Sequence, residues 1–194
     1  MKISNNYFLI VILITMIRLF PSCTSNTSFT PEEMRFTDPF NDTSIIVYKS
    51  ALGQIDSIKF FKWELDTIKY RNFSQGFYNE NILRVKYQLL NHSYHKINYG
   101  GGLSNYELMD NYLSFLKSKN GHSDKEINFL GLEFDKDYVN KILNIKESSI
   151  IFSDENARYK GVNINQGIKS FKFDFEKGIT SFVDKNGVQW VRSN

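Results

Sequence analysis

The stretch Ile82 to Leu90 constrains the fold more than any other part of the chain. Leu83, Val85, Tyr87 and Leu89 alternate with Arg84, Lys86 and Gln88, a period of two that sends apolar side chains to one side of a strand and polar ones to the other. Wound into a helix, the same residues would scatter around its circumference. Ser170 to Glu176 repeats the pattern, with Phe171, Phe173 and Phe175 set against Lys172 and Asp174. The chain must therefore build a sheet with one face in water.

Around these two stretches the sequence reads as consecutive strands joined by short turns. Ser44 to Lys49 and Ile55 to Leu65 are rich in β-branched and aromatic residues and flank Ser50-Ala51-Leu52-Gly53, which predicts a hairpin. Asp66 to Glu80 mixes polar and aromatic residues and reads as a strand end followed by a long loop. Asn91 to Tyr99 runs on to Gly100-Gly101-Gly102, a flexible break. Glu126 to Phe134 reads as a strand, and Tyr138 to Ile145 as a short helix with Val139, Ile142 and Leu143 on one side. Ser148 to Ser153 and Arg158 to Ile164 are strands about the turn Asp154-Glu155-Asn156. Gly178 to Val183 and Val188 to Arg192 form a last hairpin, with Gly187 suited to a left-handed position.

Leu103 to Lys119 admits two readings. Ser104 and Glu107 make a capping box, and Leu108, Met109, Tyr112, Leu113, Phe115 and Leu116 fall on a helical stripe, which favours a helix. The competing reading is a strand over Tyr112 to Leu116 ending at the Asn120-Gly121 turn signal. Near the start, Thr30-Pro31-Glu32-Glu33 opens a helical turn too short to matter much, and Asp38 to Asp42 is a turn-rich connector. The expected fold class is α+β and strand-rich: a single antiparallel sheet, curved or partly barrel-like, with one or two helices.

Seventeen Phe and eleven Tyr with only three Pro argue for a packed aromatic interior and against disorder. One cysteine leaves no intrachain disulfide. That cysteine, Cys23, closes a stretch with its own logic: Lys2 precedes an apolar run from Tyr7 to Ile17, and Ser22 supplies a small residue before Cys23. A spanning helix needs about 20 uninterrupted apolar residues, and Arg18 and Pro21 break this run. Residues 1–22 therefore read as a secretory signal peptide, 23–43 as a lipidated cysteine with tether and connector, and 44–194 as one globular domain. An ordinary cleaved signal, with Cys23 a chance residue, is the competing reading. Thr24 to Ser28 carries no charge and no aromatic, which suits a tether.

The spacing before Cys23 resembles the lipobox of bacterial lipoproteins, in which a diacylglycerol is joined to the cysteine sulfur and cleavage leaves that cysteine first. Lys177-Gly178-Ile179, Phe182, Asp184, Gly187 and Trp190, together with the Ser50 to Ile58 hairpin, resemble small lipoproteins of unknown function common in Bacteroidota. The resemblance implies a location in the bacterial cell envelope, held by a lipid anchor. In that group an acidic run after the cysteine marks surface export; Thr24 to Ser28 has none, which implies a periplasm-facing position.

Losing residues 1–22 removes Lys2 and Arg18 and no acid, lowering the formal charge of +3 by two units. The basic footprint of a nucleic-acid binder is absent. His92 and His95 stand three apart, with His122 as a third candidate, yet they follow a strand, where such a spacing faces opposite sides, and no carboxylate or cysteine completes a zinc set. Gly100-Gly101-Gly102 lacks the Lys-Ser/Thr of a phosphate loop. Asp38, Asn41 and Asp42, like Asp135 and Asp137, match turns better than calcium loops. No nucleophile elbow or zinc-hydrolase pair occurs. No cofactor and no metal are expected.

The aromatic group Phe60, Phe61, Trp63, Tyr70, Phe73, Phe77 and Tyr78 is the feature with binding potential, if exposed. Trp63, Phe73, Phe77 and Tyr78 are its candidate ligand-binding residues, suited to stacking on sugars or an apolar ligand; core packing is the competing role. The expected function is a non-catalytic binding or structural module, anchored to the membrane by lipid, with an envelope protein or an amphiphile as partner. The alternatives are a carrier holding an apolar ligand in a sheet-enclosed cavity, an envelope hydrolase whose carboxylate pair is invisible in sequence, and an immunity or protective lipoprotein.

Overall fold

The computed structural model describes residues 27–72, 76–90, 109–119, 121–158 and 167–193. A one-turn helix α1 (Pro31–Met34) and a 3-10 turn (Asp38–Phe40) lead into β1 (Ser44–Ser50), β2 (Ile55–Phe60), β3 (Glu64–Asn72) and β4 (Gly76–Leu89). Then come β5 (Met109–Ser118), β6 (Ser123–Phe129), β7 (Leu132–Phe134), α2 (Lys136–Ile142) and β8 (Ser149–Ser153). The chain ends with β9 (Ile168–Asp174), β10 (Gly178–Asp184) and β11 (Gln189–Arg192). All pairings are antiparallel and form one sheet in the order β7-β6-β5-β4-β2-β1-β11-β10-β9-β8, with β3 added beside β4.

The sheet curls until its ends nearly meet. The Phe134 ring of β7 lies 5.0 Å from Phe152 of β8, and the Arg158 amide donates to the Glu133 carbonyl at 2.8 Å. The inner face is rich in aromatic rings among aliphatic side chains such as Ile58, Val85 and Ile127: Phe152 stacks on Phe171 at 4.5 Å, Phe129 meets Phe171 edge-on at 5.1 Å, and Phe182 stacks on Trp190 at 5.8 Å. Rings at such spacings gain from offset and edge contacts beyond simple burial. Among the described residues these side chains join into one core cluster.

The connector is part of that core. Phe36 stacks on Phe173 at 5.6 Å and Phe40 lies 5.1 Å from Phe60, so residues 29–40 fill one mouth of the sheet. Gly178 sits where this plug touches β10. Its φ of +77° and the Pro39 Cβ, 3.3 Å from where a side chain would begin, leave room for glycine alone. Arg35 fixes the plug to the chain after α2, donating to the carbonyls of Ile145 and Glu147, each at 3.0 Å.

Several expectations hold. The β1–β2 hairpin, the alternation of β4, the Phe171 and Phe173 face of β9 and the closing β10–β11 hairpin lie where the sequence places them, although the strand expected over Ile55 to Leu65 ends at Phe60 and its last two residues belong to β3. α2 spans Lys136 to Ile142, capped by Asp135 and starting two residues before the expected Tyr138. Other expectations are corrected. Residues 109–118 are strand β5, not helix: Leu113 pairs with Val85, Asn111 pairs with Lys86, and Tyr112 is the extra residue of a bulge. Tyr112 and Leu113 are therefore both buried, and two consecutive apolar residues inside a strand mimic a helical stripe.

Glu126 to Phe134 is two strands, β6 and β7, turning at Leu130 (φ 49°) and Gly131 (φ 86°). Two positive φ values in a row are the geometry of a tight hairpin; burial of Leu130 and its amide bond to the Tyr87 hydroxyl at 3.1 Å offset the unusual backbone of a leucine there. Asp66 to Glu80, expected as a strand end and loop, is mostly the β3–β4 ladder. All of the expected strand at 158–164 beyond Arg158, the histidines at 92 and 95 and the three glycines at 100–102 lie outside the described residues.

Candidate functional site

The β3–β4 ladder, together with the matching end of β5, forms a ribbon with two different faces. Pairing runs from Glu64↔Arg84 to Asn72↔Gly76, and cross-strand partners share a side, so the register sorts the residues. One face carries Glu64, Asp66, Ile68 and Tyr70 opposite Arg84, Ile82, Glu80 and Tyr78. The other carries Leu65, Thr67 and Lys69 opposite Leu83, Asn81 and Asn79. Leu83 belongs to the core, so this second face continues the inside of the sheet beyond the plug, where Leu65 is 53% exposed.

On the outer face, Tyr70 and Tyr78 sit directly opposite each other with rings 5.1 Å apart and 19° from parallel. Tyr70 is 38% exposed. Partial desolvation raises its hydroxyl pKa, and the hydrogen-bonded Glu80 carboxylate raises it further. Toward the body, Arg84 meets Asp66 and Lys86 meets Glu64, each at 2.8 Å. An aromatic pair beside a carboxylate can stack on a flat apolar or sugar face and accept hydrogen bonds from its edge.

Of the residues expected to bind a ligand, the structure brings one into this cluster, Tyr78. Trp63 lies at the root of the ribbon, half-buried against the core, with its indole N–H donating to Asn41 Oδ1 at 3.0 Å. Phe73 lies outside the described residues, and Phe77 is described only in its backbone, which pairs with Arg71. Tyr70 and Glu80 complete the outer cluster in its place. Tyr70 was legible as one of the aromatic group; Glu80 had no signal beyond the i, i+2 relation to Tyr78 that shares a strand face.

A second cluster, which sequence reasoning passed over, fastens the plug. Thr30 and Glu33 form a capping box: Thr30 Oγ1 accepts from the Glu33 amide at 3.3 Å and Glu33 Oε2 accepts from the Thr30 amide at 2.7 Å. The carboxylate is 2% exposed and also meets Lys117 of β5 at 2.6 Å and Lys125 of β6 at 3.0 Å. Lys125 donates on to Asn140 of α2 at 2.7 Å, and Lys117 donates to the Ser28 carbonyl at 2.9 Å. Burial acts to raise the Glu33 pKa, but bonds from Lys117, the Thr30 amide and Lys125 outweigh it and hold the carboxyl below the usual range. Both carboxylate oxygens are occupied, which makes Glu33 a fastener rather than an acid or base. The turn expected to matter little thus ties α1, β5, β6 and α2 together; its signal was the Thr30-x-x-Glu33 spacing.

Inside the sheet, the hydroxyls are held protonated. Burial raises the pKa of Tyr48 and Tyr112 well above the ordinary value. Tyr48 donates to the Ile179 carbonyl at 2.8 Å, while the Tyr112 hydroxyl has no hydrogen-bond partner among the described residues. Among the described residues no group of three or more His, Cys, Asp or Glu is placed to hold a metal ion, and no helix is long and apolar enough to cross a membrane. No known protein family, curated protein or solved structure matches the chain.

Proposed function

We propose that the protein is a lipid-anchored component of the bacterial cell envelope, held by acyl chains on Cys23, whose sheet is a rigid, non-catalytic scaffold for the outer face of the ribbon. The observation that carries this reading is the contrast between a ring-filled interior and a stacked, partly exposed Tyr70–Tyr78 pair beside Glu80. Ring contacts across the interior favour this reading over a carrier, which would need an open apolar cavity. What remains for recognition is outer surface, and an envelope protein or an amphiphile with a flat apolar face fits the two tyrosines.

The anchor half of the proposal follows from acyl-chain energetics: each buried methylene contributes roughly 0.8 kcal/mol, so one chain binds reversibly and two or three hold firmly. The test is Cys23→Ala, followed by labelling with radioactive palmitate and membrane fractionation. The expected result is loss of label and release of the protein into the soluble fraction; a variant that stays with the membrane would sink the lipoprotein reading.

A further inference from the structure

The inner face of the ribbon differs in charge from the outer one. Lys69 of β3 pairs with Asn79, and the same row reaches Lys119, whose amide donates to the Asn79 carbonyl at 3.1 Å. Arg71 lies two residues further along β3, and Lys117 pairs with Asn81 across the next row. The acids of the ribbon, Glu64, Asp66 and Glu80, all occupy the opposite face. Asp124 and Glu126 of β6, opposite Leu116 and Ser114, also fall on that outer side. The buried Glu33, already shared between Lys117 and Lys125, is the acid placed on the basic side by a direct contact. Lys69, Arg71 and Lys119 are exposed.

The chain leaves the protein on this same face. The Thr27 carbonyl accepts from Asn81 Nδ2 at 3.1 Å, the Ser28 carbonyl accepts from Lys117, and the Phe29 ring lies 5.3 Å from the Lys117 ammonium. Only four residue steps separate Thr27 from Cys23. At most ~3.6 Å per step, they span no more than about 14 Å in any conformation. An acylated Cys23 lies at the bilayer surface, so Asn81 and its neighbours are held at a distance comparable to the screening length of about 10 Å at 0.1 M salt.

We propose that this basic face of the β3–β4–β5 ribbon rests on anionic phospholipid headgroups of the bilayer that holds the anchor. The inference depends on the lipoprotein reading of Cys23 and goes beyond it by assigning an orientation. Short tethering keeps the local concentration of headgroups high, and juxtamembrane lysines and arginines are attracted to anionic leaflets within a screening length. The Tyr70–Tyr78 face then points away from the membrane, toward a partner.

The test uses the full, lipidated protein reconstituted into vesicles of phosphatidylcholine with or without phosphatidylglycerol. Mass spectrometry of the Cys23 peptide first records its acylation; lysines are then acetylated from the aqueous side and quantified. Phosphatidylglycerol should protect Lys69 and Lys119 by about fivefold, the factor matching one cation's attraction to an anionic surface, and 0.5 M salt should reverse it. Lys49 and Lys172, on strands β1 and β9 that do not adjoin the ribbon, should label equally in both. Equal labelling of Lys69 and Lys119 on acylated protein overturns the orientation and leaves the anchor standing, whereas an unmodified Cys23 overturns both.

Discussion

The body of the sheet and its ribbon are built from the same strand, yet they obey different rules. In β4, Leu83, Val85, Tyr87 and Leu89 are buried in the core, while the stretch from Tyr78 to Asn81 runs past the plug and is covered on neither face to the same degree. Alternation along a strand states which residues share a side. Whether that side meets protein or water depends on what the chain places over it, here Phe36 and Phe40. Body and ribbon thereby separate stability from recognition.

Truncation gives the sharpest form of this contrast. Phe171→Ala, which removes a ring touching Phe129, Phe134 and Phe152, should cost about 3–5 kcal/mol, read by urea denaturation. Tyr70→Ala should cost under about 1 kcal/mol, as expected for one cross-strand pair. Comparable losses at the two positions would mean that the ribbon is as tightly integrated as the body.

Next in size is the fastener between them. Glu33→Ala leaves the buried Lys125 and the half-buried Lys117 without their counterion and should cost about 3 kcal/mol or more, lowering the melting temperature by roughly 6–12 °C. Because the folded carboxyl titrates below its ordinary value of 4.5, its contribution is complete above that pH and is lost as the pH falls through the lowered value. Glu33→Gln should therefore flatten the stability profile below about pH 4.5 relative to the parent; an unchanged acid limb would show that other carboxylates dominate there.

The smallest expected effect has the opposite sign. Tyr112→Phe removes a buried hydroxyl that has no partner among the described residues and should stabilise the protein by about 1 kcal/mol, measured by the same denaturation. Tyr48→Phe, which would lose the bond to Ile179, supplies the control that should destabilise. If Tyr112→Phe also destabilises, its hydroxyl is satisfied inside the core and the interior is less uniformly apolar than the ring contacts suggest.

Where the strand pattern is regular, the fold was legible. β1, β2, the body of β4, β9 and the β10–β11 hairpin follow from period-two runs and turn glycines, since one buried face and one wet face impose that pattern locally. β5 was misread because its bulge buries Tyr112 and Leu113 together, a feature that pairing with β4 creates and that no local rule reveals. β3 was misread because a ribbon wet on both faces carries no alternation to detect. The candidate site was partly legible: aromatic enrichment marked the region of Tyr70 and Tyr78, but the partnership of Tyr70, Tyr78 and Glu80 required the register.

By itself, the order of residues determined that the chain would form a strand-rich antiparallel sheet around aromatic rings, because hydrophobic spacing and turn chemistry act between near neighbours. Only the tertiary structure decided that residues 29–40 would plug the sheet, that Glu33 would meet two lysines more than eighty positions away, and that Glu64, Asp66 and Glu80 would all fall on one face of the ribbon, opposite Lys69 and Lys117. Those outcomes depend on register and closure, and the free energies that set them arise between segments that the sequence keeps far apart.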